Sequence, residues 1–334
     1  MTDRRMLYGL VVESEIDLHQ DREAPPAGPP DVVVVRGDDV ATLEPPDGRV
    51  LIRLGDDDAP LYTMVESPDG GYLLRFFHAC DVAVSADLSR MTVSRHVDAV
   101  PGLEAVLTTG AALAFQLYAR GLLVLHASAV QVGDASVGFV GRSGMGKSTM
   151  AALLCSEGAG SLITDDVLRV DVHDGEHVSR LGATELRLRK GADELSSRFA
   201  TGTPNRRTSA DARQILAPGA GARDRAPLAA LVVPLPDRET HELRLEPLTG
   251  KDALLTLLSY PRLVGVVDPA ISTAQLALTA ALVRDVPVVA AHVPWGPPFA
   301  PDLGSRLAEG LEAITGRPLG QPAPARAGAA ASLA

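Results

Sequence analysis

SVGFVGRSGMGKSTMAALLCS, residues 136–156, is the stretch on which the fold of this chain turns. Ser136 to Val140 is a short apolar run that reads as a buried strand. Gly141-Arg-Ser-Gly-Met-Gly-Lys-Ser148 then matches G-x-x-x-x-G-K-[ST] at every fixed position. The segment from Lys147 to Ser156 reads as an amphipathic helix that stops near Gly158. Glycines permit the backbone torsions that turn several N–H groups inward around a phosphate. The start of the helix adds partial positive charge, and Lys147 carries a compact cation to the same place. A hydroxyl at Ser148 is suited to Mg²⁺. ATP with Mg²⁺ is therefore the expected ligand. Gly141, Ser143, Gly144, Met145, Gly146, Lys147, Ser148 and Thr149 are the expected contacts.

Working forward, SLIT ends in Thr164-Asp165-Asp166, only 18 residues after Lys147. That interval holds one short helix, a turn and one strand. The right-handed crossover rule places the second strand parallel to the first or close beside it, with both carboxyl ends at one sheet edge. Two carboxylates then arrive beside the phosphate loop. One can share Mg²⁺ with Ser148 and the other can accept a proton from an attacking hydroxyl. An Asp doublet taken alone is also a common turn or helix cap. Side-chain alternation on a strand would separate the two carboxylates, less strictly if the strand has already ended.

Working backward, LLVLHASAV (Leu122 to Val130) reads as a strand that returns through a Gly133-Asp134 turn into the phosphate-loop strand. His126 interrupts it. A lone His in an apolar strand is usually a hydrogen-bonded core residue. Further on, Glu185 to Arg189 alternates charged and apolar residues, so Glu185, Arg187 and Arg189 share a face. That face can serve Mg²⁺ and transferred phosphate, or it can be a solvated edge laced with ion pairs. Arg206 and Arg207 lie in a polar loop-like stretch that carries no specific signal.

The flanks are plainer. Before residue 100 the chain is β-rich, with strand-like runs at Leu7 to Val12, Val32 to Val35, Arg49 to Leu54, Leu61 to Val65, Gly71 to Phe77 and Asp81 to Ala86. Pro101 to Arg120 has helical periodicity, with Gly121 as its stop. Strand-like and helix-like segments alternate beyond Asp165, and the tail from residue 317 is low in complexity and expected to be disordered. With 31 Lys plus Arg against 42 Asp plus Glu, the 334-residue chain carries a net charge of −11. That disfavours nucleic acid as a partner. Cys80 and Cys155 form no metal or disulfide pattern. No signal peptide is read at the N-terminus. Ile271 to Val293 is interrupted by Arg284, Asp285 and Pro287, whereas a span needs ~20 mostly apolar residues. The expectation is a cytoplasmic protein with no membrane segment.

Residues His126 to Val167 together resemble the catalytic core of the HPr kinase/phosphorylase family. The shared pattern runs from His through a hairpin, G-x-S-G-x-G-K-S, a short helix, Gly and an apolar strand to Asp-Asp. The early Asp pair is its specific part, and no LSGGQ-like segment suggests an ABC-type ATPase. The opening Tyr8-Gly-Leu-Val-Val-Glu-Ser-Glu15 is similar to that of HPr kinase-like proteins acting on peptide precursors, lasso-peptide kinases among them. The resemblance implies Asp165 as base, Asp166 as metal ligand, His126 near the transferred phosphate, and Glu185 and Arg187 as a metal and phosphate element. The family's Gly-rich continuation is missing, since Leu188-Arg189-Lys190 follows. Reverse phosphorylase activity and the HPr protein as acceptor are accordingly not expected. Family members form oligomers, although the sequence displays no interface.

The expected architecture is α/β, with a β-rich region at 1–100, a P-loop kinase domain of the HPr kinase/PEP carboxykinase-like type at 101–316, and a tail at 317–334. The expected activity is transfer of the ATP γ-phosphoryl group to a serine-type hydroxyl on a protein or peptide. The competing readings are a small-metabolite or carboxykinase-like phosphotransferase, and a nucleotide-binding scaffold without chemistry.

Overall fold

The computed structural model describes residues 2–56, 58–158, 160–188, 193–199, 207–208, 214–218 and 221–320. Arg189, Lys190 and Arg206, the side chain of Arg207 and the tail from residue 321 lie outside the described residues. The described chain is a mixed α/β protein with a large share of sheet.

Eight strands form the first sheet: β1 (Asp3–Leu7), β2 (Leu10–Ser14), β3 (Val32–Arg36), β4 (Arg49–Asp56), β5 (Ala59–Glu66), β6 (Tyr72–Phe76), β7 (Cys80–Val84) and β8 (Arg90–Arg95). Their order is β1-β2-β3-β8-β7-β6-β5-β4. The single strand expected over Leu7 to Val12 is instead a hairpin. Tyr8 and Gly9 take positive φ of 54° and 71°, the twist that a two-residue turn between right-twisted strands requires. A helix follows in three pieces, α1 (Leu103–Leu107), a π turn (Thr108–Ala112) and α2 (Leu113–Ala119). Its Leu113, Phe115 and Leu117 join Leu74, Met91 and Val82 of the first sheet in one core.

The second sheet begins with β9 (Leu123–Leu125), β10 (Ala127–Val132) and β11 (Ala135–Val140). The expected strand through His126 is thus two strands with His126 at the break. β9 pairs with a different neighbour from β10, so the chain bends there. Then come α3 (Lys147–Ser156), β12 (Ser161–Thr164), β13 (Leu168–His173) and β14 (Glu176–Arg180). A small separate sheet holds β15 (Leu186–Leu188), β16 (Arg207–Thr208) and β17 (Gln214–Leu216), with α4 (Asp193–Ser197) between its first two strands. β18 (Arg225–Asp237), β19 (Arg244–Leu248), α5 (Gly250–Leu258), α6 (Pro269–Asp285), β20 (Val288–Pro294) and α7 (Leu303–Thr315) complete the order.

The second sheet runs β12-β10-β11-β18-β14-β13-β9, with β20 beside β18 and β19 beside β20. β10 lies between β11 and β12 and is antiparallel to both, so those two run the same way. Their carboxyl ends, Val140 and Thr164, therefore share one edge. Successive side chains point to opposite faces. Val137, Phe139 and Val232 pack with Met150 of α3 and Leu307 of α7. Val140, Leu231 and Val233 pack with Leu257 of α5 and Leu282 of α6. Helices thus cover both faces, as a sheet with buried parallel strands requires.

Asp268 joins the first sheet to α6, one of the helices that cover the second. Asp268 caps α6, accepting from the Ala270 and Ile271 N–H groups at 3.0 Å each, and its other oxygen pairs with Arg49 of β4. The Ile271 N–H, then Arg49, hold its carboxyl below the ordinary range against a smaller opposing effect of burial. Asp268→Ala is expected to cost about 1 kcal/mol as a lost cap. A lowered pKa means that the unfolded chain binds the proton more readily than the folded one. The contribution is therefore present above the ordinary value of ~3.9 and fades as pH falls through the folded pKa. The melting temperatures of wild type and variant, measured from neutral pH downward, should converge in acid.

Candidate active site

β11 ends at Val140, and the loop from Gly141 to Gly146 carries the chain into α3. Gly144 and Gly146 take φ of 92° and 89°, values that only glycine adopts freely. Ser143 and Gly144 are exposed at the loop tip, and the Met145 sulfur folds back to accept from the Arg142 N–H at 3.1 Å. Lys147 is 7% exposed, and its ammonium donates to the carbonyls of Gly141 (2.8 Å) and Arg142 (3.2 Å). Ser148 and Thr149 sit half-buried in the first helical turn.

Asp165 follows β12 directly and is 6% exposed. Its carboxylate accepts the Ser148 hydroxyl at 2.9 and 3.1 Å, the Ser128 hydroxyl, and the Arg187 backbone N–H at 3.0 Å. Its own N–H donates to the Ala183 carbonyl at 2.9 Å. Asp165, rather than Asp166, is therefore the partner of Ser148.

Asp166 turns the other way. Its φ of 77° is unusual for a non-glycine residue, and this left-handed step, not strand alternation, separates the two carboxylates. One oxygen lies 3.1 Å from His126 Nε2 and the other accepts from Arg262 at 2.6 Å. Loss of solvent opposes its charge, but Arg262, then His126 and Lys147, outweigh that and hold the carboxyl far below the usual range. The side chain is 46% exposed, so its cationic neighbours rather than burial decide its state.

Glu185 and Arg187 complete the cluster. Glu185 is not on a solvated edge. Its side chain is 10% exposed and stands 3.0 Å from His19 Nδ1. Leu186 and Leu188 are buried on either side of half-buried Arg187, so the expected alternation holds over β15. A small cavity is lined by Asp165, Asp166, Glu185 and Arg187 together with Tyr8, His19, Thr109 and Gly110. A larger cavity of about 610 Å³, between the β1–β2 hairpin and β14, contains none of these acidic or basic groups.

Several side chains at this site carry no motif in the sequence. Arg262 reaches Asp166 from the loop after α5. A Cβ at Gly110, inside the π turn, would lie 2.9 Å from its guanidinium. Such π turns often mark functional sites. Trp295, the one tryptophan in the chain, points the edge of its six-membered ring at Gly146, where a Cβ would come within 2.1 Å of the indole. Phe299 meets that ring edge-on, with centroids 5.2 Å apart. Ser128 is not singled out by the sequence either, and its one signal is a hydroxyl two residues beyond His126 in an otherwise apolar run.

These features define a mixed α/β protein with a clustered acid, hydroxyl and lysine site at one sheet edge. No family model matches the chain, and no curated protein matches it by sequence. Among solved structures, the Hpr(Ser) kinase/phosphatase from Coxiella burnetii is similar over 58% of this chain and 99% of its own, at 10% identity and a TM-score of 0.31. A likeness at that level assigns neither family nor activity. No described helix is long and apolar enough to cross a membrane.

Proposed function

We propose that the chain is an ATP-dependent kinase of the HPr kinase-like type that phosphorylates a serine-type hydroxyl of a peptide or protein. The observation that carries this reading is the contact of Ser148 with Asp165 at 2.9 Å, beside the loop that holds Lys147. Among the described residues, no group of three or more His, Cys, Asp or Glu is arranged as a metal cage. Mg²⁺ in phosphotransferases needs none, since it takes one or two protein oxygens and fills its shell from phosphate and water. The Ser148 hydroxyl and the Asp165 carboxylate are hard oxygen donors already in contact, so they fit that ion, with Glu185 across the cavity. When bound, Mg²⁺ neutralises charge on the β- and γ-phosphates.

The chain's own groups supply the rest. Glycine-loop N–H groups cradle the triphosphate, and Lys147 exchanges its carbonyl partners for phosphate oxygens. Asp166 stays ionised and, with His126, orients the acceptor hydroxyl, whose proton is released as the new P–O bond forms. This exchanges the roles expected for the two aspartates, because Ser148 faces Asp165. Arg187 steadies charge on the transferred group. A small-metabolite acceptor is the second reading. It is favoured by the narrowness of the cavity between the doublet and Tyr8, Thr109 and Gly110.

The test is acceptor-dependent ADP formation from MgATP, with seryl peptides in one series and small hydroxyl compounds in the other. Quenching or a shift of Trp295 emission reports nucleotide binding in the same samples. Turnover with peptides supports the first reading and turnover with small compounds the second. Nucleotide binding without turnover against either series would leave only a nucleotide-binding scaffold.

A further inference from the structure

β4 is the outermost strand of the first sheet, and an edge strand leaves a row of backbone groups unpaired. A segment from late in the chain fills part of that row. The Arg53 N–H donates to the Gly265 carbonyl at 2.9 Å, and the Val267 and Asp268 N–H groups donate to the Leu51 carbonyl at 2.9 and 3.1 Å. Gly265 takes a φ of 82°, and a Cβ there would lie 1.9 Å from the Arg53 carbonyl oxygen, so only glycine lets the two backbones come this close. Tyr62 of the neighbouring β5 closes on the same segment. Its hydroxyl donates to the Val264 carbonyl at 2.7 Å and accepts from the Val264 N–H at 3.1 Å. Leu263 is buried in the core of the first sheet. Arg262, one residue before it, turns to the candidate site, where Nη2 donates to Asp166 Oδ2 at 2.6 Å. Its Nε is buried without a hydrogen-bond partner, which leaves the backbone anchors to set where the guanidinium lies.

We infer that Arg262 is a positioning residue for the transfer reaction, and that β4 and Tyr62 of the first sheet fix it against Asp166 through the segment from Leu263 to Asp268. The inference rests on the phosphotransferase reading above. Asp166 stands at a φ of 77°, a strained conformation that persists only where its surroundings over-determine it. Arg262 takes one carboxylate oxygen and leaves the other 3.1 Å from His126, so the two partners together fix the plane of the carboxylate. A carboxylate fixed in this way offers the acceptor hydroxyl a single geometry, and misplacement by ~1 Å can slow a reaction about 10²-fold. Tyr62 does not line the cavity, and its effect on the chemistry travels through Val264 and Arg262.

The test is a double-mutant cycle on the full chain, run with MgATP and whichever seryl peptide or small hydroxyl compound the wild type turns over. Arg262→Met should lower kcat about 10²-fold, while KM for ATP and the Mg²⁺ concentration for half-maximal rate stay near wild type. Tyr62→Phe keeps the ring and loses the hydroxyl that grips Val264, and it should lower kcat about three- to tenfold. Added to Arg262→Met, Tyr62→Phe should change kcat by no more than about twofold, because the residue through which it acts is already gone. The same fractional loss from Tyr62→Phe in both backgrounds overturns the inference, since Tyr62 would then act on the fold and not through Arg262. Wild-type kcat in Arg262→Met overturns it, and so does a raised Mg²⁺ requirement, which would put Arg262 at the cation instead. If Arg262→Met does not fold, Tyr62→Phe decides alone: a fall in kcat with KM and Mg²⁺ requirement unchanged supports the inference, and wild-type kcat overturns it. Wild-type protein that turns over neither acceptor series overturns the phosphotransferase reading itself, and the role of Arg262 with it.

Discussion

Asp165→Asn should lower phosphotransfer on the order of 10³-fold and raise the Mg²⁺ concentration needed for half-maximal rate. The carboxylate is the meeting point of three donors, the Ser128 and Ser148 hydroxyls and the Arg187 N–H. An asparagine has one acceptor oxygen and adds an N–H₂ that faces those same donors. It also removes the charge that a divalent cation needs. The unmet donors cost about 1–3 kcal/mol, so melting temperature is measured alongside rate, and the rate loss is expected to persist well below the transition. Asp166→Asn should behave differently, with the rate falling while the Mg²⁺ requirement stays near that of wild type. If the two variants show the same metal dependence, the separation of roles is wrong.

The second large effect concerns Lys147. Replacement by Met should reduce kcat/KM for ATP on the order of 10²–10³-fold, the range for loss of one charged donor to a transferring group. Its ammonium already spans the loop between the Gly141 and Arg142 carbonyls and is nearly buried. Methionine matches its length and apolar stem but brings no charge, so the loop keeps its packing while the phosphates lose their cation. Arginine should not rescue it. The guanidinium fork is wider than an ammonium and cannot enter between two carbonyls already only 2.8 and 3.2 Å from the nitrogen. Trp295 emission, monitored during ATP titration, separates weakened binding from slowed chemistry. Full activity in Lys147→Met would remove the glycine loop from the chemistry.

What the sequence shows of this site is what lies close along the chain. Ser148 and Asp165 are 17 residues apart, joined by one helix and one strand, and the crossover rule brings them to a common edge. Partners supplied from far away left no local pattern. Arg262 reaches Asp166 across 96 residues from a loop whose Tyr-Pro-Arg has no periodicity. Tyr8 and His19 arrive through a hairpin and a left-handed residue, and neither turns up in a search for alternating apolar runs. The same blindness explains the misread first strand. Tyr8-Gly9 is a turn within an otherwise apolar stretch, and only the positive φ values reveal it. His126 reads as part of a strand because the residues directly beside it, Leu125 and Ala127, are apolar. The break there comes from pairing with two different strands, which is a property of the sheet and not of the segment. The direction of Asp166 likewise depends on Arg262 and His126, both contributed from other parts of the chain.

The shared use of Ser148 and Asp165 is tested most directly by a crystal structure of the full chain with Mg²⁺ and a non-hydrolysable ATP analogue. The expected result is a triphosphate wrapped by Gly141 to Ser148, with the cation held by the Ser148 hydroxyl and by Asp165 directly or through one water. A cation bound away from both residues, or a nucleotide outside the glycine loop, would contradict it.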